Sequence, residues 1–243
     1  MSTRRVAIIQ WHIKELAIEE NYSTACNYIR EAASQGAELA VLSEYHLSGW
    51  APTDERWSMQ AGQASQYLTN YQSLAKELKI CLVPGTIIEK ETGVDNSTLF
   101  YNTAYFISND GTFPEAFREL IADRAEIVII PTFWTPNDAS AEALRHNPAS
   151  EALFLSSTLT SRCYENTCGI IFVNAAGPAE NFLGMSQVTL PIVGPVAKMG
   201  NEEGVLVTDM DLGLLDIAER NYKVREDIQT EGWHYVYRHT SAQ

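Results

Sequence analysis

Four short runs limit what this chain can become: Val6–Gln10, Leu39–Ser43, Ile127–Ile130 and Gly169–Asn174. Each is apolar at nearly every position rather than at alternate ones. Side chains on a strand point to opposite faces in turn, so a run of this kind must be covered on both faces. The stretches between them repeat at helical spacing. Ile18, Tyr22, Ala25, Cys26, Ile29, Ala32 and Ala33 share one helix face, and Ala64, Tyr67, Leu68, Tyr71, Leu74, Ala75 and Leu78 share another. Buried strands alternating with amphipathic helices predict an α/β fold with parallel strands.

Further elements follow from the same reading. Ile80–Ile88 and Thr98–Ile107 are expected as strands. Phe113, Ala116, Phe117, Leu120 and Ile121 mark a helix, opened by the capping box Thr112 to Glu115 with Pro114 in its first turn. Gln187–Leu190 and Pro195–Lys198 form a hairpin, Val205–Met210 a strand and Leu212–Arg225 a last helix. Cys163 and Cys168 flank a turn at Tyr164-Glu165-Asn166. Residues 228–243 are polar with aromatics and read as an arm. Arg30-Glu31 precedes Ala37-Glu38-Leu39-Ala40-Val41-Leu42 by the interval at which Arg118-Glu119 precedes Ala125-Glu126-Ile127-Val128-Ile129-Ile130. The echo divides one domain, 1–243, into an N-terminal half, 1–111, and a C-terminal half, 112–243.

Composition narrows the partners. The net charge is −14 and no Lys/Arg cluster breaks it, which argues against nucleic acid and anionic membrane. The four cysteines, Cys26, Cys81, Cys163 and Cys168, form no C-x-x-C pair, and no histidine spacing beside them suggests zinc. This usage fits a reduced, cytoplasmic setting. Val6–Ile9 is too short a run for a signal peptide, and no segment reaches membrane-spanning length. No cofactor motif is present.

Glu44 closes the Leu39–Ser43 run. Carboxylates at the C-terminal ends of parallel strands face the crevice where α/β sheets bind ligands. A solvated strand-end acid is the plainer alternative. Glu44 with His46 could also ligate a metal, although two ligands at one strand end make a weak site. The cysteines read as small core residues.

Taken together, several of these segments resemble one family. Ala37-Glu38-Leu39-Ala40-Val41-Leu42-Ser43-Glu44-Tyr45 resembles the first catalytic block of the nitrilase superfamily, the carbon-nitrogen hydrolases. Thr112-Phe113-Pro114-Glu115-Ala116-Phe117-Arg118-Glu119-Leu120 through Ile130-Pro131-Thr132-Phe133-Trp134 resembles the segment that follows its cysteine. Ser161–Asn166, Val173–Gly177, Gly184-Met185-Ser186 and Met210-Asp211-Leu212 resemble later blocks in the same order.

The resemblance implies an α-β-β-α sandwich and a Glu-Lys-Cys active site for hydrolysis of a small amide, nitrile or N-carbamoyl compound. A thiolate would attack carbon, a glutamate would move protons and a lysine would stabilise the developing charge. Glu44 matches the glutamate, and Tyr45, Trp50 and Trp134 are candidates for the pocket wall. The chain departs from the pattern between Gly111 and Thr112, where the lysine loop and the cysteine strand are expected. No lysine lies between Lys90 and Lys198. Counting back from Phe113-Pro114-Glu115 puts Ser108 at the nucleophile position and Asp110 opposite a family aspartate. The expectation is therefore a sandwich with two central-sheet strands missing or replaced, apolar surface or an open sheet edge near the gap, and a buried Glu44 with no cation. Such a chain would be inactive, or a non-catalytic subunit that binds an intact relative. The family also implies a homodimer or higher homo-oligomer and no metal.

Overall fold

The computed structural model describes residues 3–93, 96–107 and 125–229. The first strand, β1 (Thr3–Gln10), is followed by α1 (Ile18–Ser34), β2 (Leu39–Leu42), α2 (Glu55–Ala61), α3 (Ala64–Leu78) and β3 (Cys81–Val83). β1, β2 and β3 are parallel neighbours, and β10 (Gly204–Asp211) pairs antiparallel with β1 on the far side. A second sheet has the order β6 (Ile127–Pro131), β7 (Gly169–Val173), β8 (Gln187–Leu190) and β9 (Gly194–Lys198). Its first pair is parallel and the others antiparallel. Helices α4 (Ala141–His146) and α5 (Ser150–Glu165) connect β6 to β7.

The two sheets pack face to face. Val6, Ile8, Val41 and Val83 from the first meet Ile171, Val173, Val188 and Leu190 from the second in one core cluster. The alternate residues of the same strands point outward. Ala7, Ile9, Ala40, Leu42 and Leu82 pack on the faces of α1 and α3 that carry Ala25, Ile29, Tyr71 and Leu74. Ile170 and Phe172 pack on Leu155, Leu159 and Cys163 of α5. The layers are therefore helix, sheet, sheet, helix, the expected α-β-β-α sandwich. Both faces of each central strand are apolar because both are covered.

The halves correspond more closely than the opening echo indicated. Leu39 pairs with Cys81, and Ile127 with Gly169, across an identical interval of sequence. The Cys81 N–H donates to the Glu38 carbonyl at 2.8 Å, and the Gly169 N–H to the Glu126 carbonyl at 2.8 Å. The chain leaves α3 through Lys79 at φ 54° and leaves α5 through Thr167 at φ 45°.

Several expected elements differ. Ile80–Ile88 is two strands rather than one: Pro84 and Gly85 end β3 and send the chain into β4 (Thr86–Thr92). Among the described residues β4 pairs only with β5 (Thr98–Ala104), as a ribbon separate from both sheets. The expected turn at Tyr164-Glu165 is the last turn of α5, and the Cys163 thiol donates to the Cys168 carbonyl at 2.9 Å. The last helix is two, α6 (Gly213–Tyr222) and α7 (Val224–Gln229), broken at Lys223 with φ 54°. The short helices α2 and α4 carry too few apolar repeats to stand out in the sequence. Their N-caps are legible in retrospect: Asp54 accepts from the Arg56 N–H at 2.8 Å and Ser140 from the Ala143 N–H at 3.2 Å.

Near the expected gap, Ile107 forms a two-way backbone bridge with Leu82 at 2.7 and 2.8 Å, on the free side of β3. Among the described residues, β6 has a single neighbour, and its five residues are only half-buried. The equivalent β2 lies between two strands and is buried from Ala40 onward. Ser108, Asp110, the Gly111–Thr112 junction, the expected helix from Phe113 to Ile121 and most of the expected arm lie outside the described residues. No helix among the described residues is long and apolar enough to cross a membrane.

Candidate active site

Glu44 sits where β2 leaves its sheet, and a turn held from several sides sets its direction. Gly85 (φ 64°) passes directly over the carbonyl of Ser43; a Cβ there would lie 1.8 Å from that oxygen. Tyr45 takes a left-handed conformation, φ 52°, which turns its side chain and that of His46 apart. The His46 ring is fully buried and hydrogen-bonded to the Tyr71 hydroxyl of α3 at 2.9 Å. Downstream, the Gly49 N–H donates to the Tyr45 carbonyl at 2.9 Å, and the Trp57 indole N–H to the Gly49 carbonyl at 3.1 Å. The Asn21 amide donates to the Leu47 carbonyl at 2.7 Å.

The other wall comes from the second half. The Glu44 N–H donates to the Thr132 carbonyl at 3.1 Å, so the residues following β2 and β6 meet at the seam between the sheets. Buried Asn174 fixes this segment. Its Oδ1 accepts from the Trp134 N–H at 2.7 Å and the Thr132 hydroxyl at 3.1 Å, and its Nδ2 donates to the Trp134 carbonyl at 2.9 Å. Asn174 is in turn tied to Ser186, whose N–H donates to Gln10 Oε1 at 3.3 Å.

The carboxylate itself is half-buried and accepts from Asn102, the Phe133 backbone and the Tyr45 hydroxyl. Asn102 Nδ2 of β5 donates to Oε1 at 2.6 Å, and the Phe133 N–H donates to Oε2 at 3.0 Å. Burial pushes the carboxyl above the usual carboxylate range, against the opposing pull of the Asn102, Phe133 and Tyr45 donors. No ion pair to Glu44 occurs among the described residues. The rise means that desolvation outweighs these donors.

All four cysteines and all six lysines of the chain fall within the described residues, and their places in the fold keep them from Glu44. Cys81 pairs with Leu39 at the opposite end of β2, roughly 15 Å from Glu44 along the strand. Cys168 precedes β7 at that same far end of the second sheet. Cys26 lies on α1 beside Tyr22, and Cys163 lies on the buried face of α5. Burial raises the thiols of Cys26, Cys163 and Cys168, with Cys163 pushed up to about 12, so these remain protonated thiols rather than nucleophilic thiolates. Lys14 pairs with Glu20 and Lys223 with Glu226; Lys90 reaches the Ser58 hydroxyl at 3.3 Å. Lys76 and Lys79 end α3, and Lys198 ends β9.

Residues 5–120 match the family described as carbon-nitrogen hydrolase. Human omega-amidase NIT2 is 33% identical over 122 residues, which is 49% of this chain and 41% of that protein. The match therefore spans less than half the length of this relative. The fold is shared with a carbon-nitrogen hydrolase from Helicobacter pylori G27 (TM-score 0.76, 15% identity, 93% of this chain and 95% of that one). A glutamate-to-glutamine mutant of the amidase from Nesterenkonia sp. AN1, which carries the acetamide moiety of fluoroacetamide covalently on its active-site cysteine, is also similar (TM-score 0.68, 19% identity, 90% and 96% covered). The likeness to the carbon-nitrogen hydrolase family thus covers residues 5–120, just under half of the chain, and the fold is the one those solved structures share.

Within this fold the expected site residues part company. Tyr45 stays beside Glu44, stacked on Trp50 with ring centroids 4.9 Å apart. Burial and then the Glu44 charge push its phenol up to about 12. Trp134 turns away: its indole N–H donates to Glu151 of α5 at 2.7 Å, and its ring lies 5.7 Å from Phe154. The aromatic that faces the acid side is its neighbour Phe133, 6.1 Å from Tyr45. Glu44 and His46 diverge, and no group of three or more metal-binding side chains occurs among the described residues. Sequence reasoning did not single out Asn102, Phe133 or Asn174. Phe133 and Asn174 belong to segments quoted for the family resemblance and Asn102 to the expected strand Thr98–Ile107, but none carries chemistry that marks it before folding.

Proposed function

We propose that this chain is a carbon-nitrogen hydrolase framework that retains the proton-transfer acid, Glu44, and does not itself hydrolyse amides or nitriles. What carries the reading is the Glu44 environment: uncharged donors from Asn102, Phe133 and Tyr45 hold the carboxylate, with the four cysteines and six lysines placed elsewhere in the fold. General acid–base catalysis contributes about 10²–10⁴-fold by itself. Without a nucleophile and charge stabilisation, that leaves amide hydrolysis far below useful rates. Ser108, at the nucleophile position by resemblance, is a poor substitute, because a serine hydroxyl without a base stays protonated.

The substrate class of the framework is the small amide or nitrile, and the likeness to an omega-amidase favours a terminal carboxamide. The test is ammonia release from small primary amides, including ω-amides of dicarboxylic acids. No release above background is expected. Release that disappears in both Glu44→Gln and Ser108→Ala would overturn the reading and identify a rebuilt site. The reading also places an absent segment at Gly111–Thr112. Transcript sequence across these codons settles that point: an in-frame insert encoding lysine and cysteine would make this chain the shortened form of an active enzyme.

A second reading has its own support. Leu99, Phe100 and Tyr101 are 40%, 43% and 46% exposed on β5, the outer strand of the ribbon. An apolar strand edge of this kind pairs readily with another chain. In this reading the chain is a non-catalytic subunit of a homo-oligomer or of a mixed oligomer with an intact relative. Co-expression with such a relative, followed by size-exclusion chromatography, distinguishes a mixed oligomer from separate species.

A further inference from the structure

Asn102 presents the functional group of a primary amide to the acid of the site. Its Nδ2 carries two hydrogens, and two acceptors stand ready for them: Glu44 Oε1 at 2.6 Å and the Tyr45 hydroxyl oxygen at 3.1 Å. Glu44 Oε2 is taken by the Phe133 N–H. A free carboxamide entering from solvent would satisfy the same two acceptors with the same two hydrogens.

The way Asn102 gets there is also informative. It pairs directly with Ile88 across the ribbon, so the two side chains share one ribbon face: Ile88 is buried with Ala51, Trp57 and Ala61, while Asn102 stays exposed. The carboxamide therefore reaches Glu44 from an exposed position, on a strand outside both main sheets. A tethered group at contact distance competes at a high effective concentration against any free ligand of the same chemistry.

We propose that Asn102 is a built-in carboxamide ligand of the Glu44 site, which blocks a free primary amide from binding there. The inference rests on the reading of Glu44 as the retained acid, and it concerns occupancy rather than turnover. Its test uses acetamide as probe and saturation-transfer NMR on the full chain. Asn102→Ala should bind acetamide about tenfold more tightly than the parent. N,N-dimethylacetamide, which has no N–H, should bind neither, and adding Glu44→Ala should abolish the gain. Asn102→Asp is the second variant. It keeps the shape but sets a carboxylate against Glu44, so it should vacate the site and bind acetamide as the alanine variant does.

Equal acetamide binding by parent and both variants, or none by a variant with unchanged circular dichroism, would overturn the proposal and leave Asn102 a strut between ribbon and turn. Ammonia assayed in the same tubes separates the two claims. Release would sink the non-catalytic reading while leaving the occupancy result to stand or fall on the NMR.

Discussion

Two titratable groups two residues apart show how strongly position overrides chemistry. Burial pushes the His46 imidazolium down to about 3, so the folded chain holds it neutral. The unfolded chain takes up a proton near the ordinary histidine value, about 6.5. Stability from this residue is therefore fully present above that value and is lost as pH falls toward 3. The loss should approach about 1.4 kcal/mol per pH unit below pH 6. Urea midpoints measured from pH 7.5 to 4.5 check this, and His46→Gln should flatten the slope. Glu44 has the opposite sign. Its folded value lies above the unfolded one, so its buried charge becomes a cost as pH rises through the folded value. Glu44→Gln should gain stability relative to the parent between pH 4 and pH 8. Parallel denaturation at the two pH values tests this, and a gain at pH 4 equal to that at pH 8 would rule out the linkage.

Between elements, the site depends on two close approaches rather than on any one strand. Gly85 crosses the Ser43 carbonyl with no room for a side chain, and this is how β4 leaves the first sheet beside Glu44. Gly85→Ala combines a backbone collision with strain at positive φ and should cost about 3 kcal/mol or more. Thermal melting gives the stability change, and loss of the slowly exchanging amides around Ser43 would locate it. Asn174 is the counterpart in the second half. Asn174→Ala leaves the Trp134 N–H and carbonyl without their buried partner, at about 2–3 kcal/mol. Asn174→Asp keeps the acceptor and loses the Nδ2 donor, so it should cost less than alanine in the same melting assay.

At the scale of the whole molecule, the halves are built alike but completed differently. β2 has neighbours on both sides, whereas β6 has one among the described residues and leaves Ile127 to Ile130 half-buried. The ribbon adds exposed Leu99, Phe100 and Tyr101. Apolar surface of this kind promotes association. The purified chain should elute from a sizing column at a concentration-dependent volume, and Phe100→Glu with Leu99→Lys should shift it toward the monomer. Elution independent of concentration in both would dissociate the ribbon from self-association.

The four apolar runs and the helical repeats were sufficient for the layer order, because a strand apolar at successive positions has no stable arrangement except between two covering layers. The two acids of the echo, Glu38 and Glu126, accept equivalent backbone hydrogen bonds from Cys81 and Gly169. The place of Glu44 at the end of a strand was legible. What surrounds it was not. Asn102, Phe133 and Asn174 are ordinary residues in sequence, far from Glu44 along the chain. The direction of Trp134, the divergence of His46 and the split at Pro84-Gly85 are equally invisible there. They were decided by which side chain found a buried partner once two sheets from separate halves met at a common seam, a matter of long-range packing that local pattern does not encode.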